Sequence, residues 1–185
     1  LATPRAVGAA LLDLSERASS FRGTGPGGFE QAVQMAVRRT LDDGRCFGPC
    51  FSPDGSRVVY NKDNKIYVRN ADGSGSATVV DVYSNSNKEP AMNWVRLGSS
   101  DYIYWSEQSK QIYRVKLGTT TKETVHTSSA ALYMVSVNAD GSKAACSKAA
   151  WSCWAIDIGG AERNLGGGCQ GTVSPDGRYV THNLG

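Results

Sequence analysis

Five cysteines and two histidines are the side chains in this 185-residue sequence best suited to redox, metal or nucleophilic chemistry: Cys46, Cys50, Cys146, Cys153, Cys169, His126 and His182. No two cysteines form a C-x-x-C pair, and two isolated histidines cannot complete a zinc site of ordinary spacing. No C-x-x-C-H occurs, which excludes haem attachment through that motif. A catalytic base needs an acid or nucleophile within hydrogen-bond reach, and nothing near either histidine in sequence supplies one. His126 is expected on an outer strand at the surface, and His182 just past a second strand near the domain edge. G-x-S-x-G, H-E-x-x-H and Walker signatures are all absent. The sequence therefore yields no catalytic residue, no metal ligand and no cofactor, and it leans away from an enzyme.

The cysteines suit disulfide chemistry better. Cys146 and Cys153 flank the loop 147–152 and are expected to face each other across a hairpin as a disulfide, which needs Cα atoms roughly 4.4–6.8 Å apart. Cys46 and Cys50 frame Phe47-Gly48-Pro49 and could close a small loop, while Cys46–Cys169 and Cys50–Cys169 pairings remain open. An odd count leaves one thiol over. Oxidised cysteines point to an exported protein. Among the aromatics, Trp151 sits in a loop, where an indole can stack on a sugar ring. Trp94, Tyr104, Trp105, Tyr113 and Trp154 read as internal packing. Repeated Asp-Gly turns offer too few carboxylates for calcium, which takes six to eight oxygens.

The elements that must position these residues fall into two regions. Residues 1–44 contain an apolar stretch, a Gly-Pro-rich linker at 23–28, and Phe29, Val33, Val37 and Leu41 at four-residue intervals. That spacing predicts a helix over 29–41. From residue 45 the patterning changes to period two. With 21 glycines, 40% hydrophobic residues and a net charge of +3, the composition fits a turn-rich β domain and carries no basic cluster for nucleic acid. No apolar run approaches the ~20 residues of a membrane span.

Gly55, Gly98, Gly141 and Gly177 recur at spacings of 43, 43 and 36 residues. Three of them stand in related turns: Ser52-Pro53-Asp54-Gly55, Asn138-Ala139-Asp140-Gly141 and Ser174-Pro175-Asp176-Gly177. Proline presets the turn, aspartate caps it, and glycine accepts positive φ. A period of ~40–45 residues with β patterning is that of propeller blades. The fold expected is mostly β: blades of four antiparallel strands, three full and part of a fourth over 45–185, after a short helical segment at 1–44.

Phe51-Ser52-Pro53-Asp54-Gly55-Ser56-Arg57-Val58-Val59-Tyr60, followed by Lys65-Ile66-Tyr67-Val68 and Asn70-Ala71-Asp72-Gly73, resembles the repeat of TolB-type periplasmic propellers. The resemblance is specific for the blade and unspecific for function. The repeat, the cysteines and the absence of a catalytic constellation together point to an exported (periplasmic or extracellular), non-enzymatic domain that binds a protein or glycan or serves in assembly. Two other roles are compatible with such blades. One is the front part of a propeller enzyme acting on polysaccharide or peptide. The other is a subunit that self-associates through an open blade edge after Leu184.

Overall fold

The computed structural model describes residues 47–71, 73–82, 90–149 and 151–183. The helix expected at 29–41, the boundary at 44/45, Cys46 and the edge after Leu184 lie outside them.

Fourteen strands follow one another among the described residues. The first blade comprises β1 (Phe47–Phe51), β2 (Arg57–Lys62), β3 (Lys65–Asn70) and β4 (Thr78–Val82). The second comprises β5 (Asn93–Leu97), β6 (Ser100–Trp105), β7 (Gln111–Lys116) and β8 (Lys122–Thr127). The third comprises β9 (Tyr133–Val137), β10 (Lys143–Lys148), β11 (Ser152–Asp157) and β12 (Glu162–Gly167). β13 (Cys169–Val173) and β14 (Val180–Asn183) form a two-stranded sheet. Every pairing joins sequential strands and is antiparallel, giving three four-stranded meanders and the first two strands of another. Gly166 and Gly167 belong to β12.

Burial explains which sequences form which strand. The second strands are buried on both faces, as in Val58-Val59-Tyr60 and Ala144-Ala145-Cys146. β10 has the second blade on one face and β13 on the other, while Val58 and Tyr60 cluster with Phe51 and Tyr67 of their own blade. One core packs Val59 and Ile66 of the first blade against Trp94, Ile103 and Trp105 of the second. A second core packs Val95, Tyr104 and Ile112 against Val135, Cys146 and Ile156 of the third.

The Asp-Gly turns close as their chemistry dictates. Gly55, Gly141 and Gly177 adopt φ of 70°, 71° and 72°. Asp54 accepts hydrogen bonds from Ser56 Oγ (2.6 Å), Ser52 Oγ (2.7 Å) and the Ser56 amide (3.0 Å). Those bonds from Ser56 and Ser52, helped by Arg96, hold its carboxyl well below the usual range. The turn itself thus employs the carboxylate. In the second blade, Gly98-Ser99 alone joins the strands, with Leu97 opposite Ser100. Strand positions there shift by two relative to Gly98, so Tyr60, Trp105 and Cys146 are the matched residues, facing Tyr67, Tyr113 and Trp154.

Side chains bridge neighbouring blades where backbone ladders do not. The residues after those matched positions, Asn61, Ser106 and Ser147, are all buried and polar. Asn61 donates to Pro90 O (3.1 Å), Ser106 to Leu132 O (3.4 Å), and Ser147 Oγ accepts from the Gln170 amide (2.9 Å). Each bond reaches the start of the next blade. A second set links inner strands: Asn93 accepts from the Val137 amide and donates to Val135 O, both at 2.9 Å. Ser136 Oγ accepts from the Val173 amide at 3.3 Å. Replacing Asn93 with alanine strands two polar groups of β9, and should lower unfolding free energy by about 2 kcal/mol in urea denaturation.

Candidate binding face

The two ends of the blades are built differently. At the end holding the Asp-Gly turns, positive φ falls on glycines: 55, 73, 98, 118, 141, 159 and 177. At the opposite end, where the second strand turns into the third and inner strands begin, side-chain-bearing residues take it. Asp63, Asn64, Gln108, Met134, Trp151 and Gln170 have φ between 48° and 62°, and they are all the positive-φ non-glycine residues among those described. Asp63-Asn64 is the two-residue turn that strand twist favours. Met134 and Gln170 are second residues of inner strands, and Gly48 holds the matching place in β1 with φ 55°. All three lie where the inner-strand register is interrupted. Such bulges re-aim side chains at a rim.

Trp151 is the most unusual of these residues. A left-handed conformation costs an ordinary L-residue roughly 1–2 kcal/mol, and glycine or asparagine is the usual occupant. Trp151 adopts it with φ 50° while its side chain stands 69% exposed. Strain held by a solvent-facing indole points to a role outside the fold. Its carbonyl accepts the Gly168 amide at 2.7 Å. Gly168 has no room for a side chain, since a Cβ there would lie 2.3 Å from Asn183 O and 2.5 Å from His182 Nδ1. That His182 nitrogen is buried and has no hydrogen-bond partner. Beside it, Asn183 Nδ2 donates to Gln170 Oε1 at 3.1 Å. Thus an exposed indole and uncharged polar side chains share one loop end, and His182, expected just past the second strand, lies within β14 beside them.

The expected Cys146–Cys153 disulfide is not formed; both are free thiols. Cys146 lies opposite Trp154 and Cys153 opposite Ser147, one step out of register. A two-residue loop after Lys148 would have paired the cysteines. The loop has three residues, 149–151, and the extra one sends the two side chains to opposite faces of the blade. Cys146 packs toward the second blade. Cys153 packs toward β13, where a Cβ on Gly171 would come within 2.7 Å of its sulfur. Cys169 is also a free thiol, so its pairing with Cys50 is not formed either. Burial pushes the Cys146 thiol up to about 12 and raises Cys153 as well, so both behave as small apolar groups.

His126 is buried, contrary to its expected surface position. The third blade covers that face of β8, and Glu162 meets the imidazole at 2.9 Å. Sequence reasoning missed Met134 and Gln170, whose only signal is their place one residue into an inner strand. Among the described residues, no three His, Cys, Asp or Glu side chains gather as metal ligands, and no helix is long and apolar enough to cross a membrane.

Solved structures resemble this architecture. TolB from Acinetobacter baumannii aligns with a TM-score of 0.54 at 20% identity, over 72% of this chain and 36% of that one. A structure described as TolB from Agrobacterium tumefaciens aligns at 0.56 and 18% identity, over 80% of this chain and 58% of that one. The fold is that of TolB-type β-propellers. A chain in the crystal structure of a mitotic checkpoint complex aligns at 0.50 and 18% identity, over 77% of this chain and 46% of that one. The TolB-type likeness therefore spans well under two thirds of each matched structure. No family model matches the sequence, and no curated protein does.

Two outcomes follow from this geometry. Trp151→Asn relieves the left-handed strain and should raise stability by about 1 kcal/mol in thermal melts. Peptide mapping after alkylation of the folded protein should find Cys146 and Cys153 reduced and protected, with half-buried Cys169 labelled before either.

Proposed function

We propose that this TolB-type segment is an exported, non-enzymatic binding domain, and that the loop end carrying Trp151 receives a neutral glycan. The observation that carries this reading is the exposed indole held at positive φ, where a smaller residue would cost less. The apolar face of a pyranose stacks on indole, and amide side chains such as Gln170 and Asn183 pair with hydroxyl groups. The uncharged character of these groups favours a neutral sugar over an acidic one. Export is supported by the likeness to TolB-type propellers; Cys146, Cys153 and Cys169, as free thiols, add nothing to it.

A protein ligand is the second reading. Met134, at the start of β9 and the same end of the third blade as Trp151, is 48% exposed, and an exposed methionine suits an apolar side chain of a partner.

Screening the protein against immobilised neutral oligosaccharides separates the two. Glycan binding that weakens at least tenfold in Trp151→Ala, with an unchanged melting profile, supports the first reading. Absence of binding to every neutral glycan, or equal binding by Trp151→Ala, removes it.

A further inference from the structure

Three positions recur at each junction between blades. Lys122 and Glu162 match on the outermost strands, paired with Val115 of β7 and Ile156 of β11. Asp81 and His126 match on the outer strand of the preceding blade, opposite Ile66 and Ile112. Glu107 and Lys148 each stand two residues beyond the matched pair Trp105 and Cys146. The fold brings each set together. At the first junction, Lys122 Nζ lies 2.6 Å from Glu107 Oε1 and 3.0 Å from Asp81 Oδ2. At the second, Glu162 lies 2.5 Å from Lys148 Nζ and 2.9 Å from His126 Nε2.

The two clamps share positions and reverse their chemistry. A central lysine between two carboxylates becomes a central carboxylate between a lysine and a histidine. The supporting aromatic is kept. Lys122 Nζ lies 4.3 Å from the Tyr113 ring centre, and Lys148 Nζ lies 4.0 Å from that of the matched Trp154. The Gly159 amide donates to His126 Nδ1 at 3.3 Å, so Nε2–H faces Glu162. The second clamp is deeply placed, with Lys148 and His126 side chains only 4% and 3% exposed.

We infer that this three-residue clamp keys the blade junctions, its reversed charge order making the two junctions non-interchangeable and fixing which blade faces pack together. Each clamp takes one residue from the preceding blade and two from the following one. A wrong pairing of the first blade with the third would set Asp81 against Glu162. A pairing of two second blades, one from each of two copies, would set His126 against Lys122. Successive blades share backbone geometry and apolar faces, so they need such discrimination against misregister and swapping. Burial raises the pKa of Glu162, but hydrogen bonds from Lys148, His126 and Ser128 outweigh it and hold the carboxyl at about 2. Its stabilising contribution is therefore whole above the ordinary value of 4.5 and is lost as pH falls through about 2.

The test transplants the first clamp into the second junction of the full chain. Glu162→Lys alone gathers like charge and should lower the thermal midpoint by about 10 °C. It should also speed alkylation of Cys146, which sits in that junction's core, at least tenfold. The triple variant His126→Asp, Lys148→Glu, Glu162→Lys reproduces the charge order of the first clamp and should recover at least half of both losses. A silent single variant, or a triple variant that recovers less than half, overturns the inference. If Glu162→Lys does not fold, the triple variant decides alone: a cooperative melt supports the key, and a chain that stays unfolded overturns it.

Discussion

A four-stranded blade has two apolar faces and cannot cover either by itself. Everything else in the molecule depends on that constraint. The second strand of each blade must be apolar on both sides, which is why Val58-Val59-Tyr60 and Ala144-Ala145-Cys146 read as continuous runs rather than alternating ones. Tyr104 and Trp105, adjacent in sequence, belong to different cores because one blade stands between two neighbours. Stability is therefore a property of junctions, much as in other repeat architectures. The polar side chains at those junctions supply direction, which apolar contact alone does not.

Turn chemistry makes the blades legible in the sequence. Ser-Pro-Asp-Gly has one good local solution, and its two copies and the related Asn-Ala-Asp-Gly turn adopt nearly the same glycine φ. What could not be read was register. Cys146 and Cys153 lie where a two-residue hairpin would pair them, and a single extra loop residue reverses the outcome. Nothing in local propensity distinguishes those loops, because the third residue is a tryptophan in a place that favours glycine or asparagine. His126 departs from its expected surface place for a related reason. Sequence places it on an outermost strand, but the blade that covers that strand arrives 36 residues later with Glu162. Long-range covering of this kind leaves no local trace.

The same extra residue links fold and function. Trp151 sets the register of β11, separates two thiols onto opposite faces, and presents an indole to solvent. The opposite end of the blades solves its turns with glycine and carries no comparable strain. Proteins rarely keep a costly conformation at an exposed aromatic without a use for it. The candidate face is thus defined by where conformational cost is accepted, rather than by a deep cavity or a cluster of ionisable groups.

The indole N–H resonances of the four tryptophans offer the most direct measurement. Trp94 and Trp105 are buried between blades, Trp154 donates its indole N–H to Ser152 at 2.9 Å, and Trp151 is exposed. Addition of a neutral oligosaccharide to the labelled protein should move the Trp151 resonance and leave those of Trp94 and Trp105 in place. A Trp151 resonance that stays fixed at saturating sugar, or a shift confined to the buried indoles, would contradict a binding face built on this loop.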